Sequence, residues 1–134
     1  MKYIIKASSI SKKDASMQIK QSEIAFGTTP ESSDRLANPA ELFLGSFSAC
    51  ILKNVERFSS LMHFEYSHAE ITVSATRLEK PPRMDEIQYE LLIYSPDNTL
   101  NINLLKKNIE KFGTIYNTVK LSCAITGEIK QILN

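Results

Sequence analysis

Apolar and polar positions change period several times along the chain, and each period predicts an element. "KYIIKASSI", residues 2–10, mixes β-branched and polar residues. "SMQIKQSEIAF", residues 16–26, alternates Met17 with Ile19 and Ile24 with Phe26. Period-two alternation predicts strands, and "KKDA" between them predicts a turn, so the chain opens as a two-stranded hairpin. "GTTPESSDRLANP", residues 27–39, carries Gly27, Pro30, Pro39 and many small polar residues. It predicts a long surface loop, of the kind that tends to be functional or mobile.

The next stretch, "NPAELFLGSFSACILKNVERFSSLM", starts at residue 38. Asn38 suits the N-cap, Pro39 the first helical position and Glu41 the third, an Asn-led capping box. The helix runs to about Leu61. Leu42, Phe43, Leu44, Phe47, Ala49, Cys50, Ile51 and Leu52 put apolar surface all round its first half. A helix apolar all round is buried all round. Gly45, Ser46, Ser48 and Ala49 are small enough to let another helix approach. "KNVERFSS" is amphipathic and turns toward water.

"AEITVSATRL" and "EIQYELLIYS" each alternate, with "PPRMD" between them. They predict two antiparallel strands of one sheet. "NINLLKKNIEKFG" places Ile102, Leu105, Ile109 and Phe112 on one helical stripe, with Gly113 as the stop. "YNTVKLSC" predicts a helical turn, and "AITGEIKQIL" a last strand. The order β-β-α-β-β-α-β predicts a single α+β domain over residues 1–134, a sheet covered by two helices. An all-apolar central helix needs more cover than so small a sheet gives it. A homodimer is the simplest source.

Composition narrows the class. The chain has 134 residues, 43% hydrophobic and 23% charged, with a formal net charge of +1. These values fit one globular domain and give no reason to expect nucleic acid or an anionic membrane as partner. No apolar run reaches the roughly 20 residues of a membrane span. The N-terminus lacks the apolar stretch of a signal peptide, so a cytoplasmic protein is expected. Two cysteines and two histidines, His63 and His68, stand in no metal-ligand spacing, so no metal is expected.

The candidate chemistry lies with Cys50. A nucleophilic cysteine works as thiolate, favoured by helix N-termini, cations and partial exposure. Cys50 lies about three turns into the helix, beyond the reach of the N-terminal dipole, among apolar neighbours. On local sequence alone the core reading is the stronger. An activating cation must come from elsewhere in the fold, with Arg35, Lys12 and Lys13 as candidates, or from a partner chain. Cys123, before the last strand, reads as a small packing residue. Glu41 reads first as a cap. As a functional carboxylate it faces a geometric obstacle, because nine residues of helix is about 900° and sets it opposite Cys50.

The motif N-P-x-E-L-x-x-x-x-x-x-x-C, ending at Cys50, with the strand and helix order over residues 36–132, resembles the OsmC/Ohr family. The resemblance implies an intertwined homodimer whose long central helices pack together. It implies a cofactor-free thiol peroxidase of organic hydroperoxides, with Cys50 at the peroxidatic position. In that scheme the thiol becomes a sulfenic acid, a second cysteine resolves it, and an external dithiol reduces the disulfide. An N-terminal arginine and a glutamate near the helix start activate the thiolate. The chain departs from this pattern. Asn117 stands where the resolving cysteine belongs, and Cys123 lies six residues beyond it. Ala40 holds the usual glutamate position, with Glu41 one residue later. No arginine precedes Arg35.

Three functional readings follow. In the first, Cys50 reduces an organic hydroperoxide, Glu41 and a cation tune it, and an external thiol regenerates it. In the second, the dimer binds a small apolar ligand or a partner, and Cys50 is packing. In the third, the protein answers stress by another chemistry.

Overall fold

The computed structural model describes residues 1–134, which divide into two compact units, Met1–Phe43 and Leu44–Asn134. The first unit holds strands β1 (Lys6–Ser8), β2 (Ala15–Ile19) and β3 (Ser22–Phe26), an antiparallel sheet in that order. The predicted hairpin is thus a three-stranded meander. Its predicted second strand folds back on itself at Lys20, whose φ of 54° lies in the left-handed region. Met17 comes opposite Ile24. The left-handed turn residue is a lysine, where glycine, asparagine or aspartate would have flagged a turn.

The loop after β3 is tied down by Asp14. Its Oδ1 accepts from Thr28 N at 3.0 Å, Thr29 N at 3.1 Å, Thr29 Oγ1 at 3.0 Å and Ser32 Oγ at 2.6 Å. The Ser32 hydroxyl leads in drawing the carboxyl down to about 2. Ser32 itself is fully buried in a one-turn 3-10 helix, Pro30–Ser32.

Helix α1 (Pro39–Leu61) begins in the first unit and runs on into the second. Asn38 N donates to Glu41 Oε1 at 3.0 Å, and Glu41 N donates to Asn38 Oδ1 at 2.8 Å. This is the capping box expected from the sequence.

The second unit builds a sheet from β4 (His68–Glu79), β5 (Pro82–Tyr94) and β6 (Ile125–Ile132). β4 and β5 pair antiparallel, with a register shift between Ser74 and Thr76. β6 pairs parallel to β5. A parallel neighbour needs a crossover, here α2 (Ile102–Phe112) and α3 (Thr114–Val119). The Asn101 side chain caps α2 by accepting from Leu104 N at 3.0 Å. Ile87, Tyr89, Leu91 and Ile93 alternate into the core from β5, the central strand. Phe47, Ile51, Val55 and Phe58 of α1 join them, with Leu105 and Ile109 of α2. Each buried side chain of this size contributes about 1.5–3 kcal/mol of transfer free energy.

In the single chain α1 leaves Phe43 39% exposed and Gly45 and Ala49 exposed, and nothing lies within 4 Å of a Cβ built on Gly45, the face for which the sequence predicts cover from a second copy. Polar residues at Ser46, Ser48 and Lys53 break the apolar circumference, and one stripe faces the core. One expectation needs correction: Phe112 is 45% exposed although it continues the buried stripe of α2. It is the last helical residue, where the core no longer reaches it.

Candidate active site

Cys50 is a half-buried free thiol on α1. Asn54, one turn on and only 8% exposed, donates from Nδ2 to the Cys50 carbonyl at 3.1 Å and toward Sγ at 3.9 Å. A buried amide needs partners, and these two fix its orientation beside the sulfur. From the other side Gly113 closes on the thiol, with Sγ 3.1 Å from where its Cβ would stand. Gly113 ends α2 as the pattern predicts, yet its φ is −78°, which any residue adopts. Room, not backbone freedom, is what the position requires.

Asn54 also lines a cleft of about 460 Å³, together with Lys53, Glu56, Arg57, Phe112 and Thr114. Positions 50, 53, 54 and 57 form one helical stripe, so a lysine and an arginine follow Cys50 on its own face of α1. The Arg57 guanidinium lies over Phe58 at 5.3 Å and over Phe112 at 5.6 Å, and Lys111 Nζ lies 5.3 Å from the Phe112 ring. Lys53, Arg57 and Lys111 form no ion pair. Neither Lys53 nor Arg57 was among the sequence candidates, although the i+3 and i+7 spacing from Cys50 carried the signal.

The other sequence candidates fall elsewhere. Glu41 sits in the capping box. Lys12, Lys13 and Arg35 belong to the first unit; Lys12 takes a φ of 70°, and Arg35 N closes a turn onto Ser32 O. Cys123 Sγ donates to Met84 O at 3.4 Å, beside Ser122. Asn117 donates from Nδ2 to Lys111 O at 2.9 Å, which satisfies a carbonyl at the open end of α2. His68 is stacked on Tyr94 at 4.0 Å, and His63 takes a φ of 58° after the end of α1. No group of three or more His, Cys, Asp and Glu side chains is placed to hold a metal ion. No helix is long and apolar enough to cross a membrane.

A polar cluster adjoins the thiol's neighbours. Tyr89 OH donates to Glu110 Oε2 at 2.7 Å, and Lys106 Nζ lies 3.0 Å from the same oxygen. Burial, then the Glu110 carboxylate, holds the Tyr89 phenol far above its usual range. Burial first, then Glu110, pushes Tyr116 up to about 12. The Tyr89 ring occupies the space a side chain on Gly127 would need, since a Cβ there would overlap Cε1 of the ring. Phe47 packs against both phenols, at 6.1 Å from Tyr89 and 5.9 Å from Tyr116.

Comparison with known proteins places this geometry. The OsmC family model, described as OsmC-like protein, matches residues 32–128. No curated protein matches the chain by sequence. Among solved structures, an OsmC-like protein from Mycoplasma pneumoniae is 17% identical with a TM-score of 0.87, covering 98% of both chains. An organic hydroperoxide resistance protein from Elizabethkingia anophelis is 13% identical with a TM-score of 0.72, covering 98% of this chain and 99% of its own. The organic hydroperoxide resistance protein OhrB of Bacillus subtilis is 16% identical with a TM-score of 0.64, covering 97% of this chain and 98% of its own. At such identities the likeness is one of fold.

Proposed function

The chain belongs to the OsmC-like protein family, and from that premise we propose that it reduces organic hydroperoxides through Cys50. The observation that carries the reading is the setting of the sulfur, half-buried under Asn54 and Gly113 and followed along its helix face by Lys53 and Arg57. The chemistry needs Cys50 to react as thiolate, and the side chains that follow it on its helix face are an amide and two cations. The thiolate attacks the outer oxygen of the hydroperoxide. The O–O bond breaks, the alkoxide leaves and takes up a proton as the alcohol, and Cys50 becomes a sulfenic acid. An external thiol returns it to the thiol.

Named relatives of the same fold support the substrate class, since two are organic hydroperoxide resistance proteins. The proposal includes a second copy of this chain as partner. It is supported by Phe43, Gly45 and Ala49, which are exposed on α1, with open space at Gly45 that would let a like helix approach. Light scattering reads the mass directly, and a monomer at micromolar concentration removes that part.

Consumption of cumene hydroperoxide with a dithiol reductant tests the chemistry. Turnover in the native protein and none in Cys50→Ser is the expected result. No turnover, with Cys50 resisting alkylation until the protein unfolds, overturns it and leaves a fold kept for binding.

A further inference from the structure

We propose that the cleft beside Cys50 docks a small thiol bearing a carboxylate, which reduces oxidised Cys50 directly. This names the reductant for the peroxidase reading above and rests on it.

Three observations converge. First, the chain offers no placed resolving thiol. Cys50 and Cys123 are both free and have different neighbours, and Asn117 is committed to the end of α2. A sulfenic acid on Cys50 therefore meets its thiol from outside. Second, the cleft has the volume of a small-molecule site, about 460 Å³; it is lined by Asn54, whose amide lies 3.9 Å from the sulfur, and by Phe112 and Thr114, which flank Gly113. Third, cations outnumber acids in its lining. Lys53 and Arg57 are in no ion pair, and Lys111 Nζ lies 5.3 Å from the lining ring of Phe112. The one acid of the lining, Glu56, accepts from Tyr66 OH at 2.7 Å. Stacking on Phe58 and Phe112 orders the Arg57 guanidinium and leaves its planar fork for a carboxylate.

The steps balance. The reductant thiolate attacks the sulfenic sulfur, a sulfur–sulfur bond forms, and hydroxide leaves to become water with one proton. A second reductant thiolate attacks the outer sulfur of the mixed disulfide. The small disulfide leaves, and Cys50 departs as thiolate. Two thiols are oxidised and one hydroperoxide is reduced.

The test uses the full chain carrying Cys123→Ser. Cumene hydroperoxide oxidises Cys50, and a dimedone adduct confirms the sulfenic acid. Mercaptopropionate, mercaptoethanol and cysteamine, of similar size and charge minus one, zero and plus one, then reduce it. Rates are referred to the thiolate present. The anion should exceed the cation by about tenfold or more at low salt, with the gap closing as salt rises. Lys53→Gln with Arg57→Gln should abolish the gap. A flat or reversed order overturns the proposal, as does a gap unchanged in the double variant. A charge preference confined to the oxidation step, read with neutral and carboxylate hydroperoxides, also overturns it. If no sulfenic acid forms, the peroxidase reading falls, and the cleft is read by exchange of native Cys50 with small disulfides. Dianionic dithiobis(nitrobenzoate) should then outpace neutral dithiodipyridine relative to free cysteine, and equal relative rates overturn the docking too.

Discussion

The sulfur of Cys50 fills the space that a side chain on Gly113 would take, with 3.1 Å between Sγ and the position of a Cβ there. The same Cβ would stand 3.0 Å from Ile109 O and 3.0 Å from Tyr116 Cβ. Gly113→Ala gains about 0.4–1 kcal/mol by restricting the unfolded chain. Crowding a packed site costs about 1–3 kcal/mol, so the variant should be less stable on balance. Cys50→Ala removes one of the three close contacts, so the double variant should lose less than the sum of the singles. Denaturant unfolding of the four proteins measures that coupling. Strict additivity would show that the thiol and the glycine do not share the site.

Alkaline pH should weaken the fold through its phenols. Burial raises Tyr66 to about 12 and Tyr116 to about 12, and places Tyr89 above both. In the unfolded chain all three ionise near 10. Below pH 10 both states keep these protons, and the stabilisation is present in full. Above it the unfolded chain releases protons that the native protein retains, so stability falls with rising pH. Unfolding free energies between about pH 9 and 12 should show this decline, and Tyr89→Phe should make it shallower by about one proton. A slope unchanged by that substitution would remove Tyr89 from the account.

Acid acts on the first unit instead. Asp14, drawn down to about 2 chiefly by the Ser32 hydroxyl, stabilises the loop at pH above its ordinary value of 3.8. That contribution is lost as pH falls from there through about 2. The amides of Thr28 and Thr29 donate to this carboxylate, so their hydrogen exchange, corrected for intrinsic rate, should accelerate over that window. Asp14→Asn should exchange faster at neutral pH and lose the acid dependence. Protection that is indifferent to both would show that the loop is held by other contacts.

The legible parts of the sequence were those where one period served one role. β4 and β5 alternate because one face packs and the other is wet, and both were read as a pair. The turn at Lys20 carries no glycine, asparagine or aspartate, so the strand it divides read as continuous. Phe112 has the spacing of a core residue and lies where the core stops. The stripe from Cys50 through Lys53 to Arg57 needed no tertiary information. The apolar immediate neighbours Ala49 and Ile51 mask it, because side chains on a helix meet at three and four residues apart. The pairing of Gly113 with the thiol, 63 positions along the chain, has no local trace.

Glu41 offers the last separation of structure from chemistry. Its carboxylate accepts from Asn38 N at 3.0 Å, and removing such a cap costs about 1 kcal/mol. Glutamine at the same position keeps an acceptor for that N–H and loses only the charge. Glu41→Ala should therefore be destabilised by about 1 kcal/mol in denaturant, and Glu41→Gln by a few tenths at most. If the carboxylate serves only the cap, peroxide turnover per folded molecule stays at the native rate in both variants, which is the expected result. A fall of tenfold or more in Glu41→Gln at undiminished stability would give the charge a part in activating Cys50. Because the two residues project from opposite sides of one helix, that part would have to be exercised on the Cys50 of a second subunit.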